Sequence, residues 1–255
     1  MVVGTPSGVT LAPEGGAHQS IGTPLIGMSQ DGLAAFEPAF ADELAVIMEW
    51  ALGYLQRDGS GNPDERTWLR DETGGSVYLR LSTNPVEQPG KRPNGDWQQG
   101  TIDGAYWLRR PGPNCEVVIA YQGVIAPEAI RAAGAMADAR RDIGVLAVTS
   151  ADRLSAGWTA AQRARARGQQ GATSHVERLL QDLPPHCRLL TVIDGHPATL
   201  SWLGAVQGHQ TIPLGVEHFG QTGTIGELYH YYKIDAQSMI EKINGLTTGR
   251  KIVVV

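Results

Sequence analysis

Residues whose types could do chemistry gather in three stretches. The first, "PEGGAHQSI" (13–21), separates Glu14 from His18 by Gly15, Gly16 and Ala17. A neutral imidazole can give or take a proton near pH 7. A carboxylate beside it can fix its orientation, and flanking glycines let a ligand come close to backbone. A surface turn with an incidental histidine is the plain alternative. The second stretch is "DGHPATLSWL" (194–203), where an apolar run ends at Asp194 and a helical pattern begins near His196 and Pro197. Open α/β sheets place ligands at such strand-to-helix junctions, although an ordinary capped turn needs the same residues. The third is "GVEHFGQTGTIGELYHYYKID" (215–235). Gly220 and Gly223 flank a turn, and Glu227, Leu228, Tyr231 and Ile234 follow at helical spacing. Phe219, Tyr229, Tyr231 and Tyr232 make it dense in aromatics, as a domain edge or subunit interface would also require.

The elements around these stretches read as an α/β protein. Residues 1–35 are glycine-rich with few periodic apolars, so loop with short strands is expected. Phe40, Leu44, Ile47, Met48, Ala51 and Leu55 recur at helical spacing, with Asp42 and Glu43 in the first turn. Residues 57–75 are polar and turn-rich, and "SVYLRLS" (76–82) is a strand. The stretch 84–100, "NPVEQPGKRPNGDWQQG", lacks an apolar period and reads as a linker. Beyond it, strands are expected at 104–110, 115–121, 144–150, 187–194 and 210–216. Helices are expected at 126–143, 152–168, 174–183 and from His196, with a last helical region from Thr224. Apolar strands alternating with helices imply a mostly parallel sheet covered on both faces.

Composition excludes several classes. The chain of 255 residues carries a formal charge of -5, which is no nucleic-acid footprint. The basic run "QRARARG" (162–168) reads as a solvated helix face. Cys115 and Cys187 each precede an apolar run, lie far apart in sequence and read as buried thiols rather than a disulfide framework or zinc site. The start, "MVVGTPSGVT", lacks the pattern of a signal peptide, and no apolar run is long enough to span a bilayer. A cytoplasmic location without membrane or nucleic-acid partners is the expectation. No P-loop, HExxH, nucleophile elbow or dinucleotide fingerprint is present.

The three stretches occur in an order that resembles the C-terminal part of the transketolase superfamily of thiamine diphosphate enzymes. Within it the chain is most similar to the homodimeric pyruvate dehydrogenase decarboxylating component. "EGGAHQS" is similar to that group's acid-glycine-x-x-histidine segment and to the "GPTHQ" motif of transketolases. "FEPAFADELAVIMEWAL" resembles the family helix that opens with an acid, proline and alanine. "SVYLRLSTNP" is similar to the strand closing the pyrimidine-binding domain, and "GVEHFGQTGTIGELYHYYKIDAQSM" resembles the C-terminal "FGxSGxxxELxxxxxID" region. The likeness runs over residues 5–245.

The resemblance implies a partial pyrimidine-binding domain followed by a transketolase C-terminal-like domain. Residues 1–85 would be the end of the former, 86–100 a linker, 101–246 the latter and 247–255 a tail. It implies that thiamine diphosphate and magnesium serve the complete enzyme at a dimer interface. It also implies that Glu14 and His18 line the substrate channel, with His18 in proton transfer or hydrogen bonding. The partners implied are a second copy or a subunit carrying the pyrophosphate-binding domain, and a dihydrolipoyl acyltransferase core. The magnesium signature "GDG" and the stretch bearing the catalytic glutamate of the family are absent from the chain. The chain is therefore expected to start inside the pyrimidine-binding domain, to bind neither thiamine diphosphate nor magnesium alone, and to be inactive by itself. Phosphosugar transketolases carry an arginine directly after the serine of the "LS" strand end. Thr83 and Asn84 stand there instead, which favours a 2-oxo acid such as pyruvate unless Arg80 or another residue supplies the missing cation. A transketolase-like carboligase and a non-catalytic dimerisation module are the competing expectations.

Overall fold

The computed structural model describes residues 1–30, 32–57, 73–89, 92, 95–139, 141–218 and 220–246. The centre of the expected 57–75 loop and the final "KIVVV" lie outside the described residues. The strands fall into two sheets. The smaller holds β1 (Val2–Gly4), β3 (Ser76–Arg80) and β2 (Leu33–Phe36) side by side and parallel. The larger has the order β4 (Ala105–Arg109), β6 (Ile143–Val148), β5 (Val117–Gln122), β7 (Arg188–Ile193), β8 (Thr211–Leu214). Only β4 in it runs antiparallel.

The central strands β5 and β6 are buried along their whole length, which is why they read as unbroken apolar runs. Their side chains divide by alternation. Val117, Ile119 and Tyr121 join one core with α4 (Ala126–Asp138) and α9 (Ala236–Leu246). Val118 and Ala120 join the other, with α5 (Ala151–Ala166) and α6 (His175–Leu180). This is the expected α/β architecture, a mostly parallel sheet flanked by helices. In the smaller sheet Phe36, Val77 and Leu79 pack on Ile47, Ala51 and Tyr54 of α2 (Ala41–Tyr54).

Two short helices were not legible in the sequence. Thr23–Met28 (α1) lies in the expected loop region; six residues are too few to show a period, and Pro24 near its start is the only signal. Trp97–Asp103 (α3) begins within the stretch expected to be a linker. Asp96 caps it by accepting from Gln99 N at 3.3 Å, and Gly104 closes it at φ 109°. That stretch is also clamped at Arg92. Its guanidinium pairs with Asp42, donates to the Tyr106 hydroxyl at 2.5 Å, and lies over the Phe40 and Trp97 rings at 4.8 and 4.9 Å. Two further boundaries differ. The helix expected over 126–143 stops at Asp138. The helical spacing through Ile234 is broken after α8 (Ile225–Tyr231), where Lys233 takes φ 59°.

The two sheets are joined by backbone as well as side chains. Glu37 N donates to Thr149 O at 2.7 Å, Ser150 Oγ to Ala35 O at 2.6 Å, and Ala35 N to Asp152 Oδ2 at 3.0 Å. The outer edge of β2 is thus satisfied by the turn that follows β6.

Candidate functional site

The first stretch folds as a tight turn. Glu14 N and Gly15 N both donate to Leu11 O, at 3.1 and 3.3 Å. A single 3-10 turn, Gly16–His18, follows. Glu14 and His18 come together with Oε2 and Nε2 3.6 Å apart, and both side chains are more than half exposed, at 54% and 61%. The pair faces solvent, free to meet a ligand or a second chain. Gly15 is required here. It holds φ 57°, and a Cβ on it would stand 2.4 Å from Thr222 Cγ2.

That close approach docks the first stretch onto the third. The buried Gln19 amide spans the seam: Nε2 donates to Gln221 O at 2.8 Å, and Oε1 accepts from Gly220 N at 2.8 Å. Gly223 N donates to Ala12 O at 3.3 Å. The second stretch joins from below. Asp194, fully buried, accepts from Val9 N at 2.9 Å and from the Tyr229 hydroxyl at 3.1 Å. His196 N donates to Ile21 O at 2.9 Å. The three stretches therefore meet in one place, with Gln19 and Gln221, 202 residues apart in sequence, in direct contact.

Beneath them lies a buried ionic network built from strand ends. Arg80, at the end of β3, is 2% exposed. One of its nitrogens pairs with Glu37, just past β2. A second, Nη2, donates to Ser20 O and Asp194 O, both at 2.7 Å. Gln122, the last residue of β5, donates to Glu37 Oε2 at 2.9 Å. Burial pushes the Glu37 carboxyl up to about 7 against the pull of Arg80, and pushes Asp194 up to about 6. Asp152, also buried, is pushed up to about 7 by its burial, opposed by the bond from Ala35 N.

The network corrects one expectation. Arg80 cannot serve as a cation for a sugar phosphate, because its guanidinium is enclosed and bound to three partners. The groove of about 170 Å³ at the end of β3, bounded by Pro38, Phe40, Leu44, Leu81, Ser82 and Asn84, has no charged side chain among the described residues of its lining. The network itself was missed by motif reasoning. Its signal was a polar residue directly ending an apolar strand run, as in "LAAFE", "VYLR", "VVIAYQ" and "TVID". Among the described residues no group of three or more His, Cys, Asp or Glu could hold a metal ion.

No family model matches the chain. The pyruvate dehydrogenase E1 component of Mycolicibacterium smegmatis is 28% identical over 248 residues, 94% of this chain and 25% of that protein. That of Corynebacterium glutamicum is 25% identical over 250 residues, 95% of this chain and 25% of that protein. The chain resembles a piece of a transketolase-superfamily enzyme of the pyruvate dehydrogenase E1 type. It spans about a quarter of the length of these curated relatives. Among solved structures, transketolase from Leishmania mexicana superposes with a TM-score of 0.68 at 16% identity, over 96% of this chain and 30% of that one. A split-gene transketolase chain, described as an inactive β4 tetramer, superposes with a TM-score of 0.57 at 16% identity, over 97% of this chain and 66% of that one. The transketolase-like fold is thus common to this chain and both structures. No helix among the described residues is long and apolar enough to cross a membrane.

Proposed function

We propose that the chain is the portion of a thiamine diphosphate-dependent pyruvate dehydrogenase decarboxylating component that supplies one wall of the substrate channel. The observation that carries the choice of substrate is the uncharged groove at the end of β3, with Arg80 withdrawn into the core. A phosphorylated sugar, with about two negative charges, would find no fixed cation among the described residues there, whereas a small 2-oxo acid carries a single charge and places less demand on one. The likeness to two pyruvate dehydrogenase E1 components over nearly the whole chain supports the same reading.

The described residues do not fit the cofactor by themselves. They offer no metal-ligating cluster, and Glu14 and His18 stand on an open face rather than in a closed pocket. Holding thiamine diphosphate and magnesium falls to the remainder of the enzyme, whether a second copy or a subunit with the pyrophosphate-binding domain. The work of this chain is to present the His18 imidazole, whose nitrogen facing away from Glu14 gives a proton to or takes one from a substrate carbonyl oxygen. Glu14, with Oε2 3.6 Å from Nε2, restrains the imidazole ring. Passing the product to a dihydrolipoyl acyltransferase core belongs to the same proposal.

The test is reconstitution of the chain with a partner that supplies the pyrophosphate-binding domain, assayed by pyruvate-dependent dye reduction and by ketose transfer. Dye reduction that falls by about 10²–10⁴-fold in His18→Ala supports the reading. Ketose transfer without pyruvate oxidation would replace it with a carboligase. A second reading is favoured by the likeness to the inactive β4 tetramer: a dimerisation module without chemistry of its own. Self-association with no gain of activity from any such partner would select it.

A further inference from the structure

Cys115 and Cys187 are the only cysteines in the sequence, 72 residues apart. The fold brings them together. Strands β5 and β7 pair in parallel with Val117 opposite Arg188, and Arg188 N donates to Glu116 O at 3.0 Å. That register sets both thiols at the entry ends of adjacent strands, with their sulfurs 3.7 Å apart. Both are free thiols and both are buried, at 0% and 1% exposure. The backbone is fixed on both sides. Cys115 N donates to Gly112 O at 3.3 Å, Cys187 N to Pro184 O at 2.8 Å, and His209 Nδ1 lies 3.0 Å from Cys187 O.

We propose that Cys115 and Cys187 form a hydroperoxide-responsive dithiol that closes to a disulfide, stapling the entry ends of β5 and β7. A disulfide needs its sulfurs about 2.05 Å apart, so rotation of the two side chains must close the gap without moving either strand. Access comes from the neighbouring turns: Pro113 and Asn114 before one thiol, and Pro185 and His186 before the other, are exposed. Opening either turn uncovers a sulfur. The two thiols are not equivalent. Cys187 donates its S–H toward Cys115 Sγ, and that bond holds the Cys115 thiol below its ordinary range, making Cys115 the nucleophile.

The chemistry balances with hydrogen peroxide as oxidant. The Cys115 thiolate attacks one peroxide oxygen and the O–O bond breaks, giving a sulfenic acid and hydroxide, which takes up the proton that the Cys115 thiol released and becomes water. Cys187 sulfur then attacks the sulfenic sulfur, the S–O bond breaks, and the leaving oxygen departs as water with the Cys187 proton. Both sulfurs are oxidised by one electron each and the peroxide is reduced to two waters. The cross-link restricts the unfolded chain over a long loop, so the oxidised form melts at a higher temperature.

The test treats the full chain with dilute hydrogen peroxide at neutral pH, then unfolds it for thiol titration, intact mass and a non-reducing gel. The expected result is loss of both thiols together, a mass lower by two hydrogens, no cross-linked dimer, and full reversal by dithiothreitol. The melting temperature of the oxidised chain should rise by several degrees. Cys187→Ser should stop at a sulfenic acid that dimedone traps on Cys115. If that variant does not fold, the wild-type measurements decide alone. Thiols that survive peroxide sufficient to oxidise the urea-unfolded chain would overturn the proposal. So would added oxygen without a disulfide, or a disulfide formed only between chains.

Discussion

Two acid–base pairs sit near each other in this fold and have opposite characters. Arg80 and Glu37 are enclosed, and each has further partners from other strands. Glu14 and His18 stand on a glycine turn, more than half exposed, and touch mainly each other. The first pair is costly to bury and severe to break, because removing one partner leaves an uncompensated charge. The second adds little to stability, as exposed ion pairs do. The difference teaches where chemistry can reside. The buried pair ties four strand ends and the turn at Ser20 into one unit, while the exposed pair stays available to a ligand.

The sharpest way to break the comparison is Arg80→Met. Glu37 and Asp194 would then be buried without their cation, and stability should fall by about 3–5 kcal/mol in urea unfolding. A loss of under about 1 kcal/mol would show that the network does not hold the strand ends together. Next is Gly8→Ala. Gly8 holds φ 54°, and a Cβ there would lie 2.1 Å from Asp194 Oδ1. The strain and the displaced carboxylate should together cost about 1–3 kcal/mol, where Gly226→Ala, with open space around it, should cost less.

The buried acids also set a pH dependence. Glu37 and Asp194 rise in the fold from 4.5 and 3.8 to about 7 and about 6, chiefly through burial. Between those limits the folded chain holds more protons than the unfolded one. Their contribution is therefore full below about pH 4 and is lost as pH rises through 6 to 7. Glu37→Gln should flatten that decline in unfolding free energy measured from pH 4.5 to 7.5, about the range over which the group titrates. An unchanged slope would remove Glu37 from the account. The smallest expected effect is at the exposed pair. Glu14→Gln and His18→Gln should each change stability by less than about 0.5 kcal/mol, while activity in the reconstituted enzyme falls. Loss of both fold and activity would make the turn a structural element instead.

Much of the fold was legible because its signals are local. The helix over Ala41–Tyr54 announces itself by apolar spacing and by Asp42 and Glu43 in its first turn. The strands of the larger sheet announce themselves as apolar runs that burial on both faces requires. Thr23–Met28 and Trp97–Asp103 escaped because a helix of six or seven residues is too short to display its period. Of the candidate site, Glu14, His18 and Asp194 could be picked out by residue type. Glu37 and Gln122 could not, since a polar residue ending a strand is ordinary until other strand ends are seen to face it.

The sequence by itself determined the types of the longer elements, the glycine turn that carries an acid and a histidine, and the absence of a cation directly after Ser82. Each depends only on residues close together in the chain. Tertiary structure decided that Arg80 points into the core rather than toward a ligand, that three distant stretches share one face, and that two cysteines 72 residues apart stand 3.7 Å from one another. These follow from strand order and register. A neighbour across a parallel sheet is fixed by the pairing of whole strands, which no local pattern of residues records.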